Sequence, residues 1–270
     1  MKYSITEPKV ILVTGASSGL GSAIANHLAA AGHIVYGTSR FFSEDSAVRM
    51  LTLDLTDINS IRYAVYKVVA MSGRIDVLIN NAGIDMAGPL EAMDAGPVAQ
   101  LFEVNVFGTT QLISQVIPHM RNQGRGLIIN MSSLAAANGL PYRAFYAASK
   151  AALERITESL RIETAPFGIQ ACYIQAGCFH TSINENRLLP DSMAIRHYPK
   201  WPAVSDQIDH RVHEGLEPLR MASLIEKIIR SGRVRSNYRI GRSSEKISAA
   251  WKGMFPHRIM EIVLKKYFKA

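Results

Sequence analysis

Residues 10–32 read VILVTGASSGLGSAIANHLAAAG: a short apolar run, a glycine-rich turn, then a segment whose apolar residues recur at helical spacing. An unbroken, largely β-branched run is what a strand buried on both faces requires. Gly15, Gly19 and Gly21 follow the spacing Thr-Gly-x-x-x-Gly-x-Gly. Glycines let the backbone turn tightly and come close to a pyrophosphate, while the start of the following helix offers unpaired N–H groups and the positive end of its dipole. A glycine triplet alone is weak evidence, because turns and caps use glycine freely. Here a strand precedes it and a helix follows, which is the context a dinucleotide site needs.

The same alternation extends outward from this stretch. HIVYGTSR (33–40), MLTLDLTD (50–57), a helical stretch to about residue 72 and IDVLINNAG (75–83) come next. A long helical segment near 97–122, GLIINMSS (126–133), the helix holding Tyr146 and IQACYIQAG (169–177) follow. Short apolar strands separated by helices predict an α/β fold: a three-layer, Rossmann-type, doubly wound parallel sheet with helices on both faces. Right-handed crossovers then put the ligand-binding loops at the carboxyl ends of the strands. No repeat, low-complexity tract or linker divides the chain, so residues 1–270 are expected to form a single domain. Beyond Gly177 the rhythm breaks. Residues 182–215, irregular and rich in Pro, His, Tyr and Trp, read as an insertion or lid, ahead of a helix near 217–231 and a strand around YRIG (238–241).

Hydrophobic residues make up 48% of the chain and charged ones 19%, a balance that supports a large core and excludes global disorder. No apolar run reaches the roughly 18 residues that span a bilayer, and the N-terminus lacks a signal-peptide layout. Cys172 and Cys178 are the two cysteines, too few for a disulfide framework, so a reducing cytoplasmic setting is expected. They bracket the end of an apolar strand and read as packing residues. The formal net charge is +8, but residues 230–270 hold 11 Lys/Arg against 2 Asp/Glu, which leaves the rest of the chain close to neutral. No nucleic-acid-binding module accompanies that charge, so it does not indicate nucleic acid. Within the tail, Ile259, Met260, Val263, Leu264, Tyr267 and Phe268 recur at helical spacing among basic residues. Such a helix packs against the body or a partner subunit, or makes peripheral contact with a membrane surface. Of eight histidines only His210 and His213 have helical ligand spacing, and no further ligand set accompanies them, so no metal is expected.

Which dinucleotide would bind is read at the end of the second strand. NAD-selective sites often hold the ribose 2′-hydroxyl with an acid about 20 residues beyond the glycines. This chain reads Thr38, Ser39, Arg40 there, and the next carboxylates, Glu44 and Asp45, lie past the strand. A guanidinium suits a 2′-phosphate, so NADP(H) is the expected cofactor.

FYAASKAAL (145–153) places Tyr146 and Lys150 four apart in an alanine-rich helical stretch, on one face. A free phenol, with a pKa near 10, transfers protons poorly at neutral pH, whereas a nearby ammonium favours the phenolate. Tyr63 and Lys67 have the same spacing, so spacing alone does not single out either pair.

Several linked motifs separate them. TGASSGLG (14–21), Asp54 in LDLTD, NNAG (80–83), Asn105 in VNVFG, NMSS (130–133) and YAASK (146–150) together resemble the single-domain branch of the short-chain dehydrogenase/reductase family, over residues 9–182. That family carries its catalytic serine thirteen residues before the tyrosine. Counting back from Tyr146 reaches Ser133, whereas counting back from Tyr63 reaches Met50. The resemblance implies Tyr146 as general acid/base and Ser133 as hydrogen-bonding partner of the substrate oxygen. It implies Lys150 on the nicotinamide ribose, lowering the tyrosine pKa, and Asn105 supporting a water in a proton relay. It also implies cofactor contacts from Gly15, Ser17, Ser18, Gly19, Leu20 and Gly21, from Asp54 and Leu55, from Asn81, Ala82 and Gly83, and from Gly177 and Thr181. Ser132 is expected to be structural. One position departs from the family's pattern: in QAGCFHTSI, Ala176 stands where a proline is usual.

For the substrate, Ile84, Met86, Leu134, Ala135, Tyr142 and Phe145 flank these residues, and MAIRHYPKW (193–201) adds apolar and aromatic surface. Ligand pockets are mostly apolar with few polar anchors. With Gly-Pro-Leu-Glu at 88–91 and the basic tail, this is loosely similar to the 17β-hydroxysteroid and retinol dehydrogenase branch. The expectation is an oxidoreductase acting on a lipophilic ketone or secondary alcohol, as a homodimer or homotetramer. The alternative is an NADP(H)-binding sensor without turnover.

Overall fold

The structure, a computed structural model, describes residues 7–41, 47–191, 193–243, 245, 258, 261, 262 and 265. Seven strands form one sheet: β1 (Val10–Val13), β2 (Ile34–Ser39), β3 (Arg49–Thr52), β4 (Val77–Asn80), β5 (Gly126–Ser133), β6 (Ile169–Ala176) and β7 (Asn237–Ile240). Their order is β3-β2-β1-β4-β5-β6-β7, and every pairing is parallel. The helices are α1 (Gly19–Ala30), α2 (Ile58–Ser72), α3 (Ala95–Phe102), α4 (Thr109–Gln123), α5 (Ala144–Thr164), α6 (Trp201–His213) and α7 (Pro218–Arg230).

The strand runs look uniformly apolar in sequence, yet each divides between two cores by the two-residue period of a strand. Ile11 and Val13 pack with Ile24 of α1 and Ile225 of α7 on one face. Val10 and Leu12 pack with Ile61 of α2, Leu112 of α4 and Leu160 of α5 on the other. Ile11 and Leu12 are fully buried, so cutting either to alanine costs about 2–5 kcal/mol. Asp57 starts α2 by accepting the N–H of Asn59 at 2.8 Å, which satisfies a donor that the helix leaves unpaired.

Two elements differ from the sequence reading. The segment near 97–122 is not one helix: a π-helical turn, Glu103–Gly108, joins α3 to α4. Such turns occur often at functional sites, and this one contains Asn105. Residues 182–215 are also less irregular than expected, because α6 occupies their second half. Trp201, Val204, Ile208 and Val212 form its buried stripe, and Pro202 sits in the first turn, where a missing N–H costs nothing. The apolar residues of the amphipathic tail helix lie outside the described residues.

Chain order in the sheet reverses between β1 and β4, which opens a crevice at their carboxyl ends.

Candidate active site

A cavity of about 560 Å³ opens in that crevice, and every predicted site residue lines it except Gly21 and Asn105. Those two act behind the wall. A Cβ on Gly21 would lie 2.0 Å from the Gly15 carbonyl oxygen, so only glycine lets α1 start this close to the turn. Gly15 itself has φ +66, the left-handed region that glycine adopts freely. Thr14 and Asn81 then tie the turn to β4. The Thr14 hydroxyl accepts the N–H groups of Asn81 (3.0 Å) and Ala82 (2.9 Å), and the Asn81 amide donates to the Thr14 carbonyl at 3.0 Å.

Among the described residues no side chain caps the first turn of α1, and that turn holds no acid. Free N–H groups, a dipole end and a glycine floor together fit a pyrophosphate. Arg40, just past β2, is exposed on the cavity rim, and Asp54 stands nearby with its carboxylate accepting the N–H and hydroxyl of Thr56, both at 2.8 Å. Glu44 and Asp45 lie outside the described residues. Thr181 closes the other side, where a Cβ on Gly19 would meet its side chain at 3.3 Å. Ala176 pairs with Ser133 on one side and Ile240 on the other. Two ladders hold it where a proline ring is usual, so the substitution leaves the strand end in place.

At the far end of the cavity α5 presents Tyr146 and Lys150, both buried, against Ser133 at the end of β5. The Tyr146 hydroxyl is hydrogen-bonded to Ser133. Burial pushes its pKa up to about 12, with Asp85 adding to the rise and Arg143 and Ser133 opposing it. In so dry a place desolvation of the phenolate outweighs the favourable groups beside it, so the net shift is upward. Lys150 donates to the Met131 carbonyl at 3.1 Å, and burial lowers its own pKa to about 8, with Asp85 opposing. Asn105 spans the gap to the loop after β4. Its Oδ1 accepts the Ile84 N–H at 2.9 Å, and its amide donates to the Ile84 carbonyl (3.0 Å) and the Ser149 hydroxyl (3.2 Å). Both amide N–H bonds are thus committed to protein groups, and any water held by the side chain would donate to Oδ1.

Tyr63 is exposed on α2, with the Lys67 ammonium 5.2 Å from its ring centroid, remote from the cavity. Ser132 is structural: its hydroxyl donates to buried Glu154 at 2.6 Å. Cys172 is buried, and no His/Cys/Asp/Glu group suited to a metal occurs among the described residues. On the substrate side Ile84, Leu134 and Ala135 line the cavity, but Met86, Tyr142 and Phe145 pack behind it. The 193–201 stretch does not line it either. Ile195, Tyr198 and Trp201 cluster on Tyr142, while Ile183, Ile208 and Val212 supply the apolar wall.

The sequence reading missed an ionic chain that runs from buried Asp85 and Arg187 out to the surface. Asp85 pairs with Arg143 at 2.6 Å and with Arg187 at 2.8 Å, and Arg187 pairs with Asp209 of α6 at 2.6 Å. One signal was available, a lone carboxylate among apolar residues directly after the NNAG loop. Its partners are up to 102 residues distant in sequence, and no spacing rule pairs them.

A nicotinamide-binding crevice that ends in a Ser–Tyr–Lys group defines a class, and comparison with known proteins agrees. The short chain dehydrogenase family model matches residues 9–190, and the chain belongs to that family. It is 36% identical to 3-ketodihydrosphingosine reductase of Bacteroides thetaiotaomicron, over 97% of this chain and 98% of that protein. Human 17-beta-hydroxysteroid dehydrogenase type 1 is 35% identical over 66% of this chain and 59% of its own length. Among solved structures, a short-chain dehydrogenase from Streptomyces avermitilis aligns with TM-score 0.80 at 29% identity, covering 100% of this chain and 98% of that one. Another, from Burkholderia cenocepacia and complexed with NADP, gives TM-score 0.74 at 25% identity, covering 96% and 98%. The protein is an oxidoreductase of this family that uses a nicotinamide cofactor.

Proposed function

We propose that the protein is an NADPH-dependent reductase of a lipophilic ketone, with a long-chain keto compound as the leading substrate class. The observation that carries this reading is Tyr146: a buried phenol, hydrogen-bonded to Ser133, at the end of a cavity with an apolar wall. With a pKa near 12 the hydroxyl holds its proton throughout the neutral range, the state a proton donor to a carbonyl requires. Ser133 and Tyr146 would both donate to the carbonyl oxygen, orienting it and stabilising the negative charge that develops there. Lys150, with a pKa near 8, is ready to return a proton to the tyrosine near neutrality. The α1 turn, Asp54 and Asn81–Gly83 would hold the cofactor, whose chemistry when bound would be to supply a hydride to the carbonyl carbon. Ile84, Leu134, Ile183, Ile208 and Val212 favour a hydrocarbon body. The full-length similarity to a 3-ketodihydrosphingosine reductase supports a long chain over a rigid ring system. Arg40 on the rim supports NADP(H) over NAD(H).

The test is NADPH oxidation with 3-ketodihydrosphingosine, a 17-ketosteroid and small sugars as substrates, alongside NADH, Tyr146→Phe and Arg40→Ala. Expected are turnover of the long-chain ketone, at least a hundredfold loss in Tyr146→Phe, and weakening of NADPH but not NADH in Arg40→Ala. Faster turnover of sugars than of any lipophilic ketone would refute the substrate class. NADPH binding without turnover of any compound would favour a sensor.

A further inference from the structure

The ionic chain missed in sequence leads to the catalytic phenol. The Arg143 guanidinium lies 4.4 Å from the centroid of the Tyr146 ring, a cation over an aromatic face. It is held by buried Asp85, whose other oxygen takes the Nε of Arg187. Backbone bonds reinforce the same junction. The Leu188 N–H donates to the Asp85 carbonyl at 2.9 Å, the Ala87 N–H donates to the Leu188 carbonyl at 3.1 Å, and the Gly88 N–H donates to the Tyr142 carbonyl at 2.8 Å. Tyr142, next to Arg143, has φ 59, a strained conformation for a non-glycine residue, and its ring packs against Trp201 of α6 with centroids 5.4 Å apart and the planes tilted by 50°. The loop after β4 therefore joins the substrate-side segment to the first turn of α5 twice, by charge and by strand-like pairing.

Resting on the reductase reading above, we propose that Arg143 is a positioning residue for Tyr146, clamping its ring and setting a cation over its face, with Asp85 and Arg187 fixing Arg143 in place. The substrate-side segment and the proton donor then share one rigid junction. Charged or titratable groups facing Tyr146 are Asp85 from the loop after β4, Arg143 from the residue before α5, Lys150 from α5 itself, and Cys178 beyond β6. Arg211 of α6 and Glu245 line the same cavity. Asp85 and Arg143 act on the phenol with opposite sign, and this gives the proposal a signature that loose packing does not reproduce.

The experiment uses the full chain labelled with ¹³Cζ-tyrosine, the Tyr146 resonance being assigned by its loss in Tyr146→Phe. At pH 11, Asp85→Asn is expected to show more tyrosinate than the parent and Arg143→Met less, with Arg143→Lys close to the parent. In the NADPH assay with 3-ketodihydrosphingosine, Arg143→Met is expected to lower kcat several-fold, because a phenol deprived of its neighbouring cation gives up its proton less readily, and to leave the KM for NADPH unchanged. Arg143→Lys restores most of that loss. The isosteric Asp85→Asn and the charge-preserving Arg143→Lys keep the test open if Arg143→Met folds poorly. Shifts of the same sign in Arg143→Met and Asp85→Asn, or none in either, would overturn the proposal. The resonance ordering is independent of substrate, so it fails or holds separately from the reductase reading, which falls if Tyr146→Phe retains full turnover.

Discussion

Lys150 carries an ammonium into a nearly dry place, and that has a measurable consequence. Its pKa falls from an ordinary 10.5 to about 8 because burial disfavours the charged form. Between those values the unfolded chain binds more protons than the folded one, so this group makes stability rise with pH through that window. Cys172 and Cys178, pushed up to about 12 by burial, act in the opposite direction above pH 9, so a comparison with Lys150→Met is needed to isolate the lysine. The melting temperature of Lys150→Met relative to the parent should be highest near pH 7 and decline as pH approaches 10. A difference that does not change with pH would mean the ammonium is hydrated. At this scale much was legible: Tyr146 and Lys150 share one helix face, and the resemblance to the short-chain dehydrogenase/reductase family preferred that pair to Tyr63 and Lys67 and added Ser133. Asp85, Arg143 and Arg187 were not legible, because three loops bring them together. The direction of the tyrosine shift was likewise beyond the sequence, since burial sets it.

The glycine turn and α1 are the element in which sequence and structure agree most closely. The steric reason is explicit: a methyl group on Gly21 would overlap the Gly15 carbonyl, so Gly21→Ala must push α1 away from the turn. Overpacking of this kind costs about 1–3 kcal/mol. A melting temperature lowered by several degrees, with NADPH binding weakened at least tenfold by fluorescence titration, is the expected outcome. Unchanged binding would show that the helix N-terminus is not the phosphate cradle. The π-helical turn and α6 were less legible. A π turn differs from an α turn by one residue and leaves the apolar period almost intact. Pro202 reads as a helix breaker until its place in the first turn is known.

For the whole molecule, the seven parallel strands leave α4 and α5 side by side on one face, and exposed apolar side chains stand near them: Phe107 (51% exposed), Ile162 (77%) and Phe167 (40%). Exposed large hydrophobics of this kind suit a contact between copies of the chain. Light scattering should give a mass two or four times 29.7 kDa, and Phe107→Glu with Ile162→Glu should reduce it to the monomer without loss of helical signal. A monomeric parent would remove the basis for that interface. By itself the sequence determined the α/β architecture, the nucleotide turn and the placing of Tyr146 and Lys150 on one helix face. Each of these is encoded locally, in a strand's apolar run, a glycine spacing or one face of a helix. Only the tertiary structure decided which side chains wall the cavity and which pack behind it. It also decided that burial raises the Tyr146 pKa and that Asp85 links Arg143 to Arg187. Those outcomes depend on burial and on contacts between distant segments, and neither is a property of any short stretch of chain.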